Sequence, residues 1–201
     1  MIALVDYGAG NLTSVRKGLA AAGAEFQTPA SPAELAQSTG IVVPGVGHFA
    51  ATSALREDWR SAIQDRIAAG VPLLGVCLGM QWLFDGSDEA PGLPGLGIVP
   101  GVVTRMAGSG SIKIPHVGWN ALSAVRPSRI LDGVADEAQV YFTHSFAAPV
   151  TNETVATSEH GATFAAVIER HRVFGVQFHP EKSGDAGLRI LRNFVACCQN
   201  A

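Results

Sequence analysis

The sequence is sparing with charge and with cysteine, and each shortage narrows what the chain can do. Only 15% of its 201 residues are charged and the balance is -3, which leaves no broad basic face for nucleic acid or an anionic membrane. Its three cysteines, Cys77 and the adjacent pair Cys197-Cys198, form no Cys-x-x-Cys motif and give no basis for a disulfide framework or a zinc site. A Gly-x-x-x-x-Gly-Lys phosphate loop is missing too, so neither a metal nor a cofactor is expected. No stretch reaches the roughly 18 apolar residues of a membrane span, and Asp6 interrupts the first apolar run with no basic segment before it. A soluble, cytoplasmic protein is expected. Internal repeats, low-complexity tracts and long linkers are also lacking. The length and the 47% hydrophobic content suit one domain spanning residues 1–201.

What is present is an alternation. Ile2 to Tyr7 reads as a strand, and Gly8-Ala9-Gly10 turns into a helix from Asn11 with Leu12, Val15, Leu19 and Ala22 on one face. A strand over Ala24–Thr28, a short helix over Pro32–Gln37, a strand over Ile41–Val43, a helix over Asp58–Ala69 and a strand ending at Val76 follow. Short, continuously apolar strands separated by helices predict an α/β fold with a mostly parallel sheet covered on both faces. The second half differs. Gly86 to Gly97 reads as a surface loop, then short strands are expected around Val99–Arg105, Tyr141–Ser145, Thr154–Thr157, Ala162–Glu169 and Val173–Phe178. A last helix, Ala186–Cys198, carries Leu188, Leu191, Phe194, Val195 and Cys198 on its apolar side.

The chemistry concentrates at Gly75-Val76-Cys77-Leu78-Gly79. A strand, a turn in which glycines flank a nucleophile, and a helix from Met80 onward have the layout of a nucleophile elbow with Cys in place of Ser. Unpaired N–H groups at the start of that helix favour a thiolate, and an oxyanion on the carbonyl it attacks. A cysteine after a strand is often an inert core residue, so a base has to be found. Of six histidines, His179 ends an apolar strand and is followed by Pro180-Glu181. In an extended chain residues two apart face the same side, which lets Glu181 orient the imidazole. Cys77, His179 and Glu181 are therefore the expected triad. Pro44-Gly45-Val46-Gly47-His48-Phe49 leaves the third strand on the same sheet edge. Backbone N–H groups of Gly45, Val46 and Gly47 can join that of Leu78 as an oxyanion hole.

Pro44–Phe49, Gly75-Val76-Cys77-Leu78-Gly79-Met80-Gln81 and Phe178-His179-Pro180-Glu181-Lys182-Ser183 together resemble the class I, triad-type glutamine amidotransferases. Within that class, Asp6-Tyr7-Gly8-Ala9-Gly10-Asn11, Pro115-His116-Val117-Gly118-Trp119-Asn120 and Tyr141-Phe142-Thr143-His144-Ser145 are similar to the glutaminase subunits of imidazole glycerol phosphate synthases. The resemblance runs from about residue 2 to residue 195. It implies a flavodoxin-like fold and hydrolysis of L-glutamine through a glutamyl thioester. It also implies ammonia delivery to a (β/α)8-barrel cyclase subunit in histidine biosynthesis. By resemblance, Gln81 and Glu89 hold the carboxylate and ammonium groups of glutamine, with backbone contacts from Ser145 and Phe146. Asn11, Trp119, Tyr141 and Lys182 fall at the partner interface, although from the residues alone Trp119 reads equally as a core aromatic. Phe146 stands where the family commonly has Tyr, a departure of small weight if the contact is through backbone. A glutaminase subunit of another pathway, such as vitamin B6 synthesis, and a stand-alone flavodoxin-like cysteine hydrolase are the alternatives.

Overall fold

The computed structural model describes residues 1–108, 110 and 112–199. Its first half alternates as expected: β1 (Ile2–Leu4), α1 (Leu12–Ala21), β2 (Phe26–Gln27), β3 (Gly40–Val43), α2 (Glu57–Ala68), β4 (Leu73–Val76) and α3 (Leu78–Trp82), with 3-10 turns at Pro32–Gln37 and Phe49–Ala54. Then come β5 (Gly86–Ser87), β6 (Val102–Arg105), β7 (His116–Ala121), β8 (Ser123–Ala124), β9 (Gln139–His144), β10 (Phe146–Ala147), β11 (Thr154–Glu159), β12 (Thr163–Arg170) and β13 (Val173–Val176). A 3-10 turn at Pro180–Lys182 leads into α4 (Gly184–Gln199).

Eight strands form the central sheet in the order β2-β1-β3-β4-β13-β12-β11-β8. The pairs from β2 through β13 are parallel and the last three are antiparallel. Successive side chains of the parallel strands enter opposite layers, which is why these strands read as continuously apolar. Ile2, Leu4, Val42, Leu74, Val76 and Phe174 pack with Val15 and Leu19 of α1 and with Ile190, Leu191 and Phe194 of α4. Ala3, Val5, Ile41, Val43, Leu73 and Val173 pack instead with Ile63 of α2 and with Met80, Trp82, Leu83 and Phe84. The nucleophile therefore emerges from between two closed layers.

Several local expectations are corrected. The strand expected over Ala24–Thr28 is only Phe26–Gln27, paired to β1. The Gly86–Gly97 segment is not simply a solvated loop, because Ser87 and Leu96 are buried. Its backbone also donates to the end of α3: Gly97 N–H reaches the Phe84 carbonyl at 3.1 Å and Ile98 N–H the Leu83 carbonyl at 2.9 Å. Carbonyls at a helix end need donors from outside the helix, and this segment supplies them. In α4, Leu188 is only half-buried, whereas Ile190 faces the core. β7 was not expected as a strand. It pairs antiparallel with β9, outside the central sheet, in a ribbon that sets Trp119 opposite Tyr141.

Candidate active site

Cys77 stands between β4 and α3 with φ 52° and ψ -107°. Such a backbone costs a residue with a side chain about 1–3 kcal/mol, and surrounding structure has to hold it. Here the holding is visible. Cys77 N–H donates to the Val176 carbonyl at 2.8 Å, and its own carbonyl accepts from Gln81 N–H at 3.0 Å. The flanking glycines are required by space. A β-carbon at Gly79 would collide with the Val43 carbonyl, and one at Gly75 would fall 2.6 Å from the Gly79 carbonyl oxygen. The elbow read from the sequence is thus a turn squeezed between β3 and β4.

His179 and Glu181 are tied by a 2.9 Å contact between Nδ1 and Oε1, with both side chains almost fully buried. The geometry differs from the expected extended chain: His179 is extended, but Pro180–Lys182 is a 3-10 turn that swings the carboxylate back to the ring. Burial alone would lower the imidazole pKa. Hydrogen bonding and charge from Cys77 and Glu181 outweigh it and raise the value to about 9. Nε2, the nitrogen not bound to Glu181, is buried and has no hydrogen-bond partner meeting full geometry among the described residues. His179 is itself held by its backbone, since its N–H donates to the Tyr141 carbonyl at 2.9 Å and its carbonyl accepts from Ser183 Oγ at 2.6 Å. A thiol, an imidazole and a carboxylate in this relation can serve as nucleophile, base and orienter.

Cys77 opens onto a cavity of about 280 Å³ lined by Gly47, Leu78, Gln81, Glu89, Pro115, Thr143, His144, Ser145 and Phe146. This brings together six of the eight residues assigned to substrate from the sequence, with Gly45 and Val46 outside the lining, and its size suits an amino acid better than a larger ligand. Glu89 reaches it from the loop after β5, where its Oε2 accepts from Phe49 N–H at 2.8 Å and ties that loop to the Pro44–Phe49 segment. Gln81 spends both amide protons inside the protein, on the Phe146 carbonyl at 2.9 Å and on Gln177 Oε1 at 3.1 Å. What it offers a ligand is its carbonyl oxygen, an acceptor fitted to an ammonium group.

Leu78 N–H and the Gly45–Gly47 segment do not form an open pair of donors here. Leu78 N–H donates to the Gly45 carbonyl at 3.3 Å. Because the Gly45–Val46 peptide is trans, its N–H points away from the carbonyl side. An incoming oxyanion would find this part of the site closed.

Sequence reasoning missed Gln177 and Tyr7. Gln177 is fully buried, holds Gln81, and donates Nε2 to Cys77 Sγ at 3.6 Å. A lone amide inside the apolar run from Val173 to Phe178 was the available signal. Tyr7 places its hydroxyl against Gly45. Burial, and secondarily the Cys77 charge, raise that phenol's pKa. Trp82, next to the elbow, is a core residue with the Arg60 guanidinium 5.7 Å from its ring centre.

The four residues assigned to a partner lie on the surface or at its edge. Trp119 is 57% exposed, which removes the core reading, and meets Tyr141 edge-on at 6.1 Å. Lys182 Nζ lies 5.8 Å from the Tyr141 ring centre, and exposed Asn11 caps α1 by accepting from Ser14 N–H at 3.3 Å.

The fold and the elbow are those of the class-I glutamine amidotransferases: the family "Glutamine amidotransferase class-I" matches residues 3–198, and the chain belongs to it. More particularly, the chain is similar to the protein named imidazole glycerol phosphate synthase subunit HisH in Deinococcus radiodurans, at 42% identity over 96% of this chain and 92% of that one. Its likeness to the protein of the same name in Thermococcus kodakarensis is 44% identity over 96% and 98%. Among solved structures, one described as a glutamine amidotransferase superposes with a TM-score of 0.76 at 19% identity, covering 99% of this chain and all of the other. PurLQS from Thermotoga maritima matches with a TM-score of 0.77 at 17% identity over 97% of both chains. These two likenesses concern the fold alone.

Proposed function

We infer that this chain is the glutaminase subunit of an imidazole glycerol phosphate synthase, a single cytoplasmic domain spanning residues 1–201 that feeds ammonia to a cyclase subunit. The observation that carries the reading is the strained Cys77 opening onto a cavity of amino-acid size beside the buried His179–Glu181 pair. The full-length similarity to the HisH proteins gives the pathway and the partner. In this reading Cys77 attacks the side-chain amide carbon of L-glutamine. Its proton passes to His179, and the imidazole, whose pKa is raised to about 9, then donates it to the departing ammonia. His179 then takes a proton from water, which hydrolyses the glutamyl thioester, while Glu181 fixes the ring. The Gln81 carbonyl oxygen and Glu89 hold the glutamine ammonium, and the backbone of Ser145 and Phe146 lines its path. Leu78 and the Gly45–Gly47 segment supply the oxyanion donors once the Gly45 carbonyl has withdrawn.

Ammonia exposed to neutral water is protonated and loses its nucleophilicity, so it has to pass dry to the acceptor. Trp119, Tyr141, Lys182 and Asn11 form the docking face in this account. The Tyr141 carbonyl receives the His179 N–H, so that face is one residue from the base. Acid quenching during turnover tests the chemistry: a glutamyl adduct on Cys77 is expected by peptide mass analysis and should be absent from Cys77→Ala. Glutamate release by Cys77→Ala at the wild-type rate would exclude the mechanism.

A further inference from the structure

A row of polar side chains runs from the β7–β9 ribbon to the rim of the glutamine cavity and takes no part in the proton transfers. His116 and His144 face each other in that ribbon and are almost fully buried. His144 Nδ1 lies 2.9 Å from the Phe146 carbonyl, and its Nε2 lies 3.1 Å from His116 Nδ1. His116 Nε2 lies 3.3 Å from Asn120 Nδ2. Both imidazoles stay neutral near pH 7, because burial above all pushes them down to about 3 and about 4. Each ring then carries one proton, and the ends of the row decide where. A carbonyl only accepts, so the His144 proton sits on Nδ1 and its Nε2 accepts from His116 Nδ1. At the other end Asn120 Oδ1 accepts from Ala121 N–H at 2.8 Å, which turns the amide nitrogen to donate toward His116 Nε2. Both ends demand the same two tautomers. His116 is held in place by stacking on Phe142 and His160, at ring-centre distances of 4.8 and 4.1 Å.

The Phe146 carbonyl at the end of this row also receives Gln81 Nε2, and Gln177 Oε1 takes the second proton of that amide. Two acceptors around the Gln81 nitrogen leave its carbonyl oxygen to face the cavity. The two ends of an amide side chain are nearly equal in size, so its partners alone decide which end meets a ligand. Without an anchored Phe146 carbonyl the Gln81 oxygen and nitrogen are free to exchange, and the cavity then presents donors that an ammonium group cannot use. We propose that His144 is a positioning residue for specificity: backed by His116, its Nδ1–H anchors the Phe146 carbonyl, which turns the Gln81 carbonyl oxygen toward the α-ammonium group of the substrate. The cavity thereby selects an α-amino acid over the same chain without its amino group.

This role rests on the glutaminase reading, and the experiment separates the two. Wild-type, His144→Phe and His144→Asn chains, each with the cyclase subunit and its nucleotide ligand, are assayed for glutamate release. Glutaramate, which is glutamine without its α-amino group, is added as a competing ligand, and Cys77 is alkylated separately with iodoacetamide. His144→Phe should raise KM for L-glutamine about tenfold with kcat little changed. Its inhibition by glutaramate and its rate of alkylation should match the wild type, since neither involves the ammonium contact. His144→Asn, whose amide can donate from the Nδ1 position, should restore KM. Should His144→Phe fail to fold, His144→Gln keeps a polar group toward His116 but none at the Nδ1 position, and the same rise in KM is expected. An unchanged KM would overturn the proposal, as would equal weakening of glutamine and glutaramate, the mark of a merely structural role. Wild-type protein that releases no glutamate would overturn the glutaminase reading and the proposal with it.

Discussion

At the scale of single residues, the site is a set of buried polar groups that satisfy one another, and Gln177 is its least obvious member. It bridges Cys77 and Gln81 from inside a core strand. Gln177→Leu keeps the volume but strands one Gln81 amide proton, which should cost about 1–3 kcal/mol of stability and lower glutamine turnover. Urea unfolding together with steady-state kinetics checks both, and a variant with native stability and kcat would place Gln177 outside the site. The grouping of Cys77, His179 and Glu181 was legible because each carries a local signature: glycines around Cys77, and proline and glutamate after His179. Gln177 has none. Its role comes from contacts made 96 and 100 residues away, and no local spacing encodes such contacts. The same holds for the Gly45 carbonyl on Leu78 N–H, a backbone state that residue types permit without specifying.

At the scale of elements, the elbow and the β7–β9 ribbon do different work. The elbow depends on close backbone approach, so Gly79→Ala pushes a methyl group into the Val43 carbonyl and should destabilise the chain by about 3 kcal/mol or more. A melting temperature within a degree or two of wild type would show that the approach can relax. The ribbon instead projects Trp119 and Val117 outward, both more than half exposed. Aromatic anchors of this kind dominate interfaces, so Trp119→Ala should weaken association with the cyclase by about 2 kcal/mol or more, read by calorimetric titration. An unchanged Kd would remove Trp119 from the docking face. The parallel half of the fold was readable from its periodicity because those strands are buried on both sides. β7 escaped because its inward positions are His116, Gly118 and Asn120 while its exposed ones are Val117 and Trp119, so the apolar residues face outward and give no apolar inner face to read.

At the scale of the whole molecule, two histidine groups pull stability in opposite directions with pH. His179 has a folded pKa near 9 against an ordinary 6.5, so its contribution is complete below about pH 6.5 and is lost as pH rises through about 9. His116 and His144 are shifted the other way, to about 3 and about 4. Burial is the main cause, opposed in part for His144 by its bond to the Phe146 carbonyl, and neighbouring histidines add to the lowering. Their neutral rings, joined at 3.1 Å, stabilise the fold above about pH 6.5, and this is lost as pH falls toward 4. Stability should therefore peak near pH 6.5 as far as these groups decide it. Urea midpoints across the range check this: His116→Asn should flatten the acid limb and His179→Asn the alkaline limb, and unaltered slopes would contradict the assignment. Both groups adjoin β9, which links the outward face carrying Tyr141 to the loop carrying His179.

The most direct test of the central claim is glutamate production from L-glutamine by the purified chain, alone and then with the cyclase subunit and its nucleotide ligand, with Cys77→Ala as control. With Leu78 N–H occupied by the Gly45 carbonyl, the account predicts weak release by the chain alone, a sharp rise in the full mixture, and none from Cys77→Ala. Full activity without the partner, or none in any mixture, would contradict it.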